Sequence, residues 1–182
     1  MRILLIGGGK SGKSSTAQRL AAALSGNAPR YYWATMTPHD AEDRLRIRRH
    51  VADRAGMGFI TVERSFALPD GLPAVDRRGT VLFDSVTACL SEQMFPGAEP
   101  DGAAGETVLR QLLTVSRHPA HFIAVIAVCD DIWHGGEDYE GWTETYVREL
   151  ARICRGLAEE FDVVCEMTAG IARVWKGELT RV

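Results

Sequence analysis

Lysine is almost missing from this chain of 182 residues. Of 21 basic residues only Lys10, Lys13 and Lys176 are lysines, and two of these three fall in one glycine-rich stretch near the amino terminus. A surplus of charge is missing as well. The formal net charge of −3 excludes a bulk electrostatic pull toward nucleic acid or an anionic membrane. Long apolar runs are absent too: the first, Ile3 to Ile6, is too short for the core of a secretion signal or for a bilayer span. A cytoplasmic protein is therefore expected. The four cysteines, Cys89, Cys129, Cys154 and Cys165, form no C-x-x-C pair, which argues against a zinc site or a disulfide framework. No internal repeat, low-complexity tract or domain-splitting linker interrupts the sequence, so residues 1–182 read as one domain.

What is present alternates between strand and helix patterns. Arg2 to Ile6 predicts a short buried strand ended by glycines, and Lys13 to Leu24 a helix stopped near Gly26. Tyr31 to Thr35 suits a second strand. Thr37-Pro38-His39-Asp40 offers a Thr cap, a Pro at the first helical position and an acid at the third, opening a helix that runs to about Arg54. Gly58 to Glu63 alternates weakly as a third strand, and Phe66 to Gly79 reads as a loop with one helical turn. Thr80 to Phe83 and Phe122 to Val128 are apolar strands. Val86 to Phe95, Thr107 to Arg117 and Thr143 to Glu160 are helices, with a mobile loop expected over Pro96 to Gly105. Val163 to Met167 and Ile171 to Trp175 flank Ala169-Gly170 as a terminal hairpin. The pattern predicts an α/β fold, a mostly parallel P-loop-type sheet with helices on both faces and an antiparallel hairpin at its end. Ligands bind such sheets at the carboxyl ends of the strands, where Gly7, Thr35, Asp84 and Asp130 should gather.

Gly7-Gly8-Gly9-Lys10-Ser11-Gly12-Lys13-Ser14 matches G-x-x-x-x-G-K-[ST] between a predicted strand and a predicted helix. In this motif backbone N–H groups wrap a phosphate and the helix dipole favours its charge. Lys13 would reach the β- and γ-phosphates of ATP or GTP, and Ser14 would hold Mg²⁺. The phosphate-binding set thus runs from Gly7 to Ser15. Val81-Leu82-Phe83-Asp84 reads as a second metal-holding element through Asp84, although an acid ending a strand also arises as a simple helix cap.

On the second helix Glu42, Arg46, His50 and Arg54 recur four apart and share one stripe. A neutral imidazole can attack phosphorus, with arginines neutralising the phosphate. By spacing alone such a stripe is more often a solvated surface. Taken together, Gly7-Gly8, Ser11-Gly12-Lys13-Ser14, Ala34-Thr35, Asp40, Glu42, Arg46-Ile47, His50 and Arg54 resemble one family. It is the bifunctional adenosylcobinamide kinase / adenosylcobinamide-phosphate guanylyltransferase family (CobU type) of cobalamin biosynthesis. Thr61 and Glu63 match a further Trp-x-Thr-x-Glu element, with Phe59 in place of the Trp, and Leu82 to Thr87 resembles the metal-binding strand of that family.

The resemblance implies that one phosphate site serves two reactions. ATP or GTP phosphorylates the aminopropanol hydroxyl of adenosylcobinamide. Separately, a histidine, here His50, takes GMP from GTP and passes it to the cobinamide phosphate. It also implies Mg²⁺ at Ser14 and Asp84, with Asp131 as a further ligand, nucleotide contacts from Thr35, Arg46, Arg54 and Glu63, a corrinoid acceptor and a homotrimer. The last third departs from the family pattern: Asp130-Asp131-Ile132-Trp133 stands where Asn-Glu-x-Gly is usual, and the helix around Tyr146, Arg148-Glu149 and Cys154 differs. A divergent kinase without guanylyl transfer and a non-catalytic nucleotide-binding regulator therefore remain alternatives.

Weaker features carry less. His134 to Asp138 has no standard metal spacing and reads as a solvated loop, and His39, His118 and His121 carry no argument. The tryptophans read as core or rim residues, and Arg44 to Arg49 lacks the aromatic interleaving of an RNA-binding stretch.

Overall fold

A computed structural model describes residues 1–75, 78–117, 122–133 and 138–179. Its strands are β1 (Arg2–Gly7), β2 (Arg30–Ala34), β3 (Phe59–Glu63), β4 (Thr80–Asp84), β5 (Ala124–Asp130), β6 (Val163–Thr168) and β7 (Ile171–Lys176). The helices are α1 (Lys13–Ser25), α2 (Ala41–Asp53), α3 (Val86–Met94), α4 (Ala104–Ser116) and α5 (Gly141–Glu160). The strands form one sheet in the order β3-β2-β4-β5-β1-β6-β7, parallel except for the antiparallel β6–β7 hairpin. The α/β reading of the sequence holds in this architecture.

Period-two alternation sorts the strand residues between two layers. Leu4, Trp33, Phe83, Val125 and Ala127 face α3, α4 and α5, whose Leu90, Val108 and Ile153 complete that core. Ile3, Leu5, Tyr32, Leu82, Ile126 and Val128 face the other way, onto Ala17, Leu20 and Ala21 of α1. The central strands are buried on both sides, which is why they read as continuous apolar runs. Each fully buried Ile or Leu in them contributes about 1.5–3 kcal/mol by leaving water.

Helix α2 is the exception, because none of its residues is buried. It starts later than the Thr37-Pro38 pattern predicts. Asp40 is the cap, its carboxylate accepting from the Asp43 N–H at 2.8 Å, while Thr37 is spent on Glu92 and Ser65. The loop expected over Pro96 to Gly105 is shorter than predicted. The Asp101 N–H donates to the Met94 carbonyl at 2.8 Å, its carboxylate accepts from the Ala103 N–H, and α4 begins at the buried Ala104. The expected helical turn after Phe66 is a 3₁₀ segment, Leu68–Ala74.

Candidate functional site

Parallel pairing brings the ends of β1, β2, β4 and β5 to one edge. Gly7 lies opposite Asp130, and Ala34 opposite Asp84. The glycine loop spans the gap from β1 to α1. Gly7 has no room for a side chain, since a β-carbon there would collide with the Met167 carbonyl of β6. Gly12 takes φ 94°, a left-handed turn that puts the α1 N-terminus under the loop. Two backbone bonds hold the loop from neighbouring strands: the Asp131 N–H donates to the Gly7 carbonyl and the Gly170 N–H to the Ser11 carbonyl, both at 2.9 Å. The hairpin turn thus buttresses the phosphate loop, a contact nothing in the sequence announces.

Gly8, Gly9, Lys10 and Ser15 are exposed, whereas Lys13 is buried. Its ammonium donates to the Gly8 carbonyl at 2.7 Å and pairs with the Asp130 carboxylate at 2.8 Å. The Ser14 hydroxyl donates to Asp84 Oδ1 at 3.3 Å, and the Tyr32 hydroxyl to Asp84 Oδ2 at 3.0 Å. Burial pushes the Asp84 carboxyl above the usual carboxylate range. The two hydroxyl bonds work against that shift, and the Asp130 carboxylate adds to it. Burial, and then the Asp84 charge, raises the Tyr32 phenol and keeps it a donor.

The remaining sequence-selected residues are dispersed. Thr35 is fully buried and donates to the Ser85 carbonyl at 2.6 Å. Arg54 is buried, stacked 3.9 Å above the Tyr32 ring and bonded to Thr61 Oγ1 at 3.2 Å. Arg46 stands exposed on the surface beside Glu42, at 3.6 Å, and Glu63 is exposed at the end of β3. Asp131 contributes its backbone to the loop as described. His118, His121 and residues 134–137 of the acidic loop lie outside the described residues. One working residue is absent from the sequence reading, Tyr32, hidden as one more aromatic in an apolar strand; Asp130 is expected at the edge but with no partner assigned.

The donor set fits Mg²⁺. Ser14 and Asp84 supply two hard oxygens beside the phosphate loop, and no group of three metal-binding side chains occurs among the described residues. That is suitable for an ion that keeps several waters and takes its other ligands from phosphate. No helix among the described residues is long and apolar enough to cross a membrane.

Comparison with known proteins agrees with this geometry. Among solved structures the chain resembles an ATPase from the type III secretion system of pathogenic bacteria, with TM-score 0.59 and 12% identity over 95% of this chain and 56% of that one. It also resembles the flagellar accessory protein FlaH from Methanocaldococcus jannaschii, with TM-score 0.51 and 12% identity over 97% and 78%. At such identities these likenesses speak for the fold alone. The chain is 32% identical to the bifunctional adenosylcobalamin biosynthesis protein CobP of Pseudomonas aeruginosa, over 98% of this chain and 99% of that protein. The family model for cobinamide kinase / cobinamide phosphate guanyltransferase matches residues 3–174. A phosphate loop, a partly buried carboxylate and a histidine helix following a strand of the same sheet, in a sequence matched along nearly its whole length, make this chain a member of the CobU family.

Proposed function

We propose that this protein phosphorylates adenosylcobinamide and then transfers GMP to the product, using one phosphate site for both reactions. The observation that carries the reading is the phosphate loop beside an Asp84 carboxylate bonded to Ser14, with the histidine helix tied to the same edge through Arg54, which stacks on the Tyr32 ring whose hydroxyl donates to Asp84. In the kinase reaction the aminopropanol hydroxyl attacks the γ-phosphorus. The bond to the bridging oxygen breaks, ADP or GDP leaves, and the hydroxyl proton passes to solvent. Lys13 and the loop N–H groups stabilise charge on the transferring phosphoryl group. Bound at Ser14 and Asp84, Mg²⁺ would supply further charge neutralisation.

In the transferase reaction the neutral His50 ring attacks the α-phosphorus of GTP. An N–P bond forms as the bond to the bridging oxygen breaks, and pyrophosphate departs with the electron pair. A phosphate oxygen of adenosylcobinamide phosphate then attacks the same phosphorus, the N–P bond breaks and His50 is restored. The lack of any buried residue in α2 supports this, because a helix so lightly held can bring its ring to the phosphate at small cost. Thr35, Arg46, Arg54, Glu63 and Asp131 remain proposed contributors to nucleotide or metal binding. We read the chain as one cytoplasmic domain that assembles as a homotrimer. Family membership favours this two-reaction enzyme over a kinase without guanylyl transfer or a non-catalytic regulator.

The test is incubation with GTP labelled at the α-phosphate. Acid-labile, base-stable label on the wild type and none on His50→Ala is expected. An unlabelled wild type, or equal label on both proteins, removes the guanylyl-histidine.

A further inference from the structure

The Asp84 carboxylate is held from behind by a residue to which the sequence gives no role. Successive side chains of β2 alternate between the layers, so Tyr31 and Trp33 enter one core while Tyr32 enters the other, on the α1 side. Tyr32 pairs with Leu82 of β4, and Asp84 follows two residues later on the same face. The phenol extends along the sheet to meet it, donating to Oδ2 at 3.0 Å. That leaves Oδ1 turned to Ser14 at 3.3 Å. A carboxylate with one oxygen anchored cannot rotate freely, so the other stays aimed at the phosphate loop.

The ring is itself fixed. Phe59 packs against it edge-on, with centroids 6.2 Å apart, and the Arg54 guanidinium lies 3.9 Å above its face, tied to Thr61. Arg54 is the residue that closes α2, four positions beyond His50. Tyr32 therefore touches both the carboxylate and the end of the histidine helix.

We infer that Tyr32 is a positioning residue, which orients Asp84 for the metal ion and links that carboxylate to the helix carrying His50. The inference rests on the reading of Asp84 as a metal-binding carboxylate. A phenylalanine at this position would keep the ring, the Arg54 stack and the Phe59 contact but could not donate to Asp84.

The experiment compares wild type, Tyr32→Phe, Asp84→Asn and the double variant. Mn²⁺ affinity is measured by EPR with β,γ-imido-ATP bound, and nucleotide affinity is measured separately in EDTA. Loss of one hydrogen bond to a charged group should weaken Mn²⁺ binding about ten-fold in Tyr32→Phe. Metal-free nucleotide affinity should be unchanged, and Tyr32→Phe should add nothing in the Asp84→Asn background. A merely structural role would lower both affinities and add to the loss in the double variant, which overturns the inference. Wild-type Mn²⁺ affinity in Tyr32→Phe, with Asp84→Asn impaired, overturns the Tyr32 role alone. Wild-type affinity in Asp84→Asn overturns the metal reading and the Tyr32 role with it.

Discussion

Replacing Asp130 with asparagine should tighten nucleotide binding. In the structure the lysine that the triphosphate needs is already engaged: Lys13 Nζ is 2.8 Å from Asp130 Oδ1, and the two side chains are 6% and 37% exposed. At that separation two unit charges attract by about 1.5 kcal/mol in water and about 6 kcal/mol at an effective dielectric of 20. Desolvation of the buried ammonium and screening at the half-exposed carboxylate offset much of this, leaving a net of about 1–2 kcal/mol. An incoming triphosphate must displace that partner or sit beside its negative charge. Asp130→Asn keeps the shape and the oxygen facing Lys13 while removing the charge. The dissociation constant of a fluorescent ATP or GTP analogue, titrated in EDTA at moderate salt, should therefore fall roughly 5- to 30-fold. Omitting the metal matters, because it separates a latch on Lys13 from a metal ligand. Unchanged or weaker binding by Asp130→Asn in EDTA would mean that the pair pre-aligns Lys13 rather than occupying it, and the reasoning above would fail.

Other outcomes follow from burial. Burial holds Asp84 above its ordinary value, so the folded state binds its proton more tightly than the unfolded chain does. The associated stability is present in acid and is lost as pH rises from the unfolded value through the raised folded one. Asp84→Asn, which can still accept from Tyr32, should thus be more stable than wild type at neutral pH. A higher Tm than wild type at neutral pH is expected from thermal melts, the difference shrinking toward zero in acid. A Tm advantage that does not depend on pH would refute this. All four cysteines are buried, and burial pushes the Cys89 thiol up to about 12. Alkylation of native protein near neutral pH should be slow, with all four thiols reacting once denaturant is added, and mass spectrometry reads the difference. Fast modification of Cys89 in native protein would contradict it.

Much of the fold was legible because the strands of a doubly covered parallel sheet must be apolar throughout, and those between helices announce themselves as short runs. The errors fell where local chemistry offered two solutions. Thr37 and Asp40 are both acceptable caps; the Thr37 hydroxyl bonds Ser65, and the free Asp40 carboxylate caps the helix. Pro96 to Gly105 contains turn-forming residues, yet backbone bonds from Asp101 closed it early. Within the site, Lys13 and Ser14 could be chosen from the loop motif, because chain-local geometry fixes a loop between a strand and a helix, while Asp84 was chosen from its place at the end of an apolar strand.

The amino-acid sequence by itself determined the phosphate loop, the alternation that builds the sheet, and the family to which the chain belongs. Each depends on residues close along the chain or on a pattern repeated through it. Only the tertiary structure decided which charges meet. Lys13 found Asp130 across 117 residues, Asp84 found Tyr32 across 52, and Arg54 turned inward onto an aromatic face instead of lying along a solvated stripe. Those pairings follow from strand order and register, which bring distant residues to one edge for reasons no local window contains.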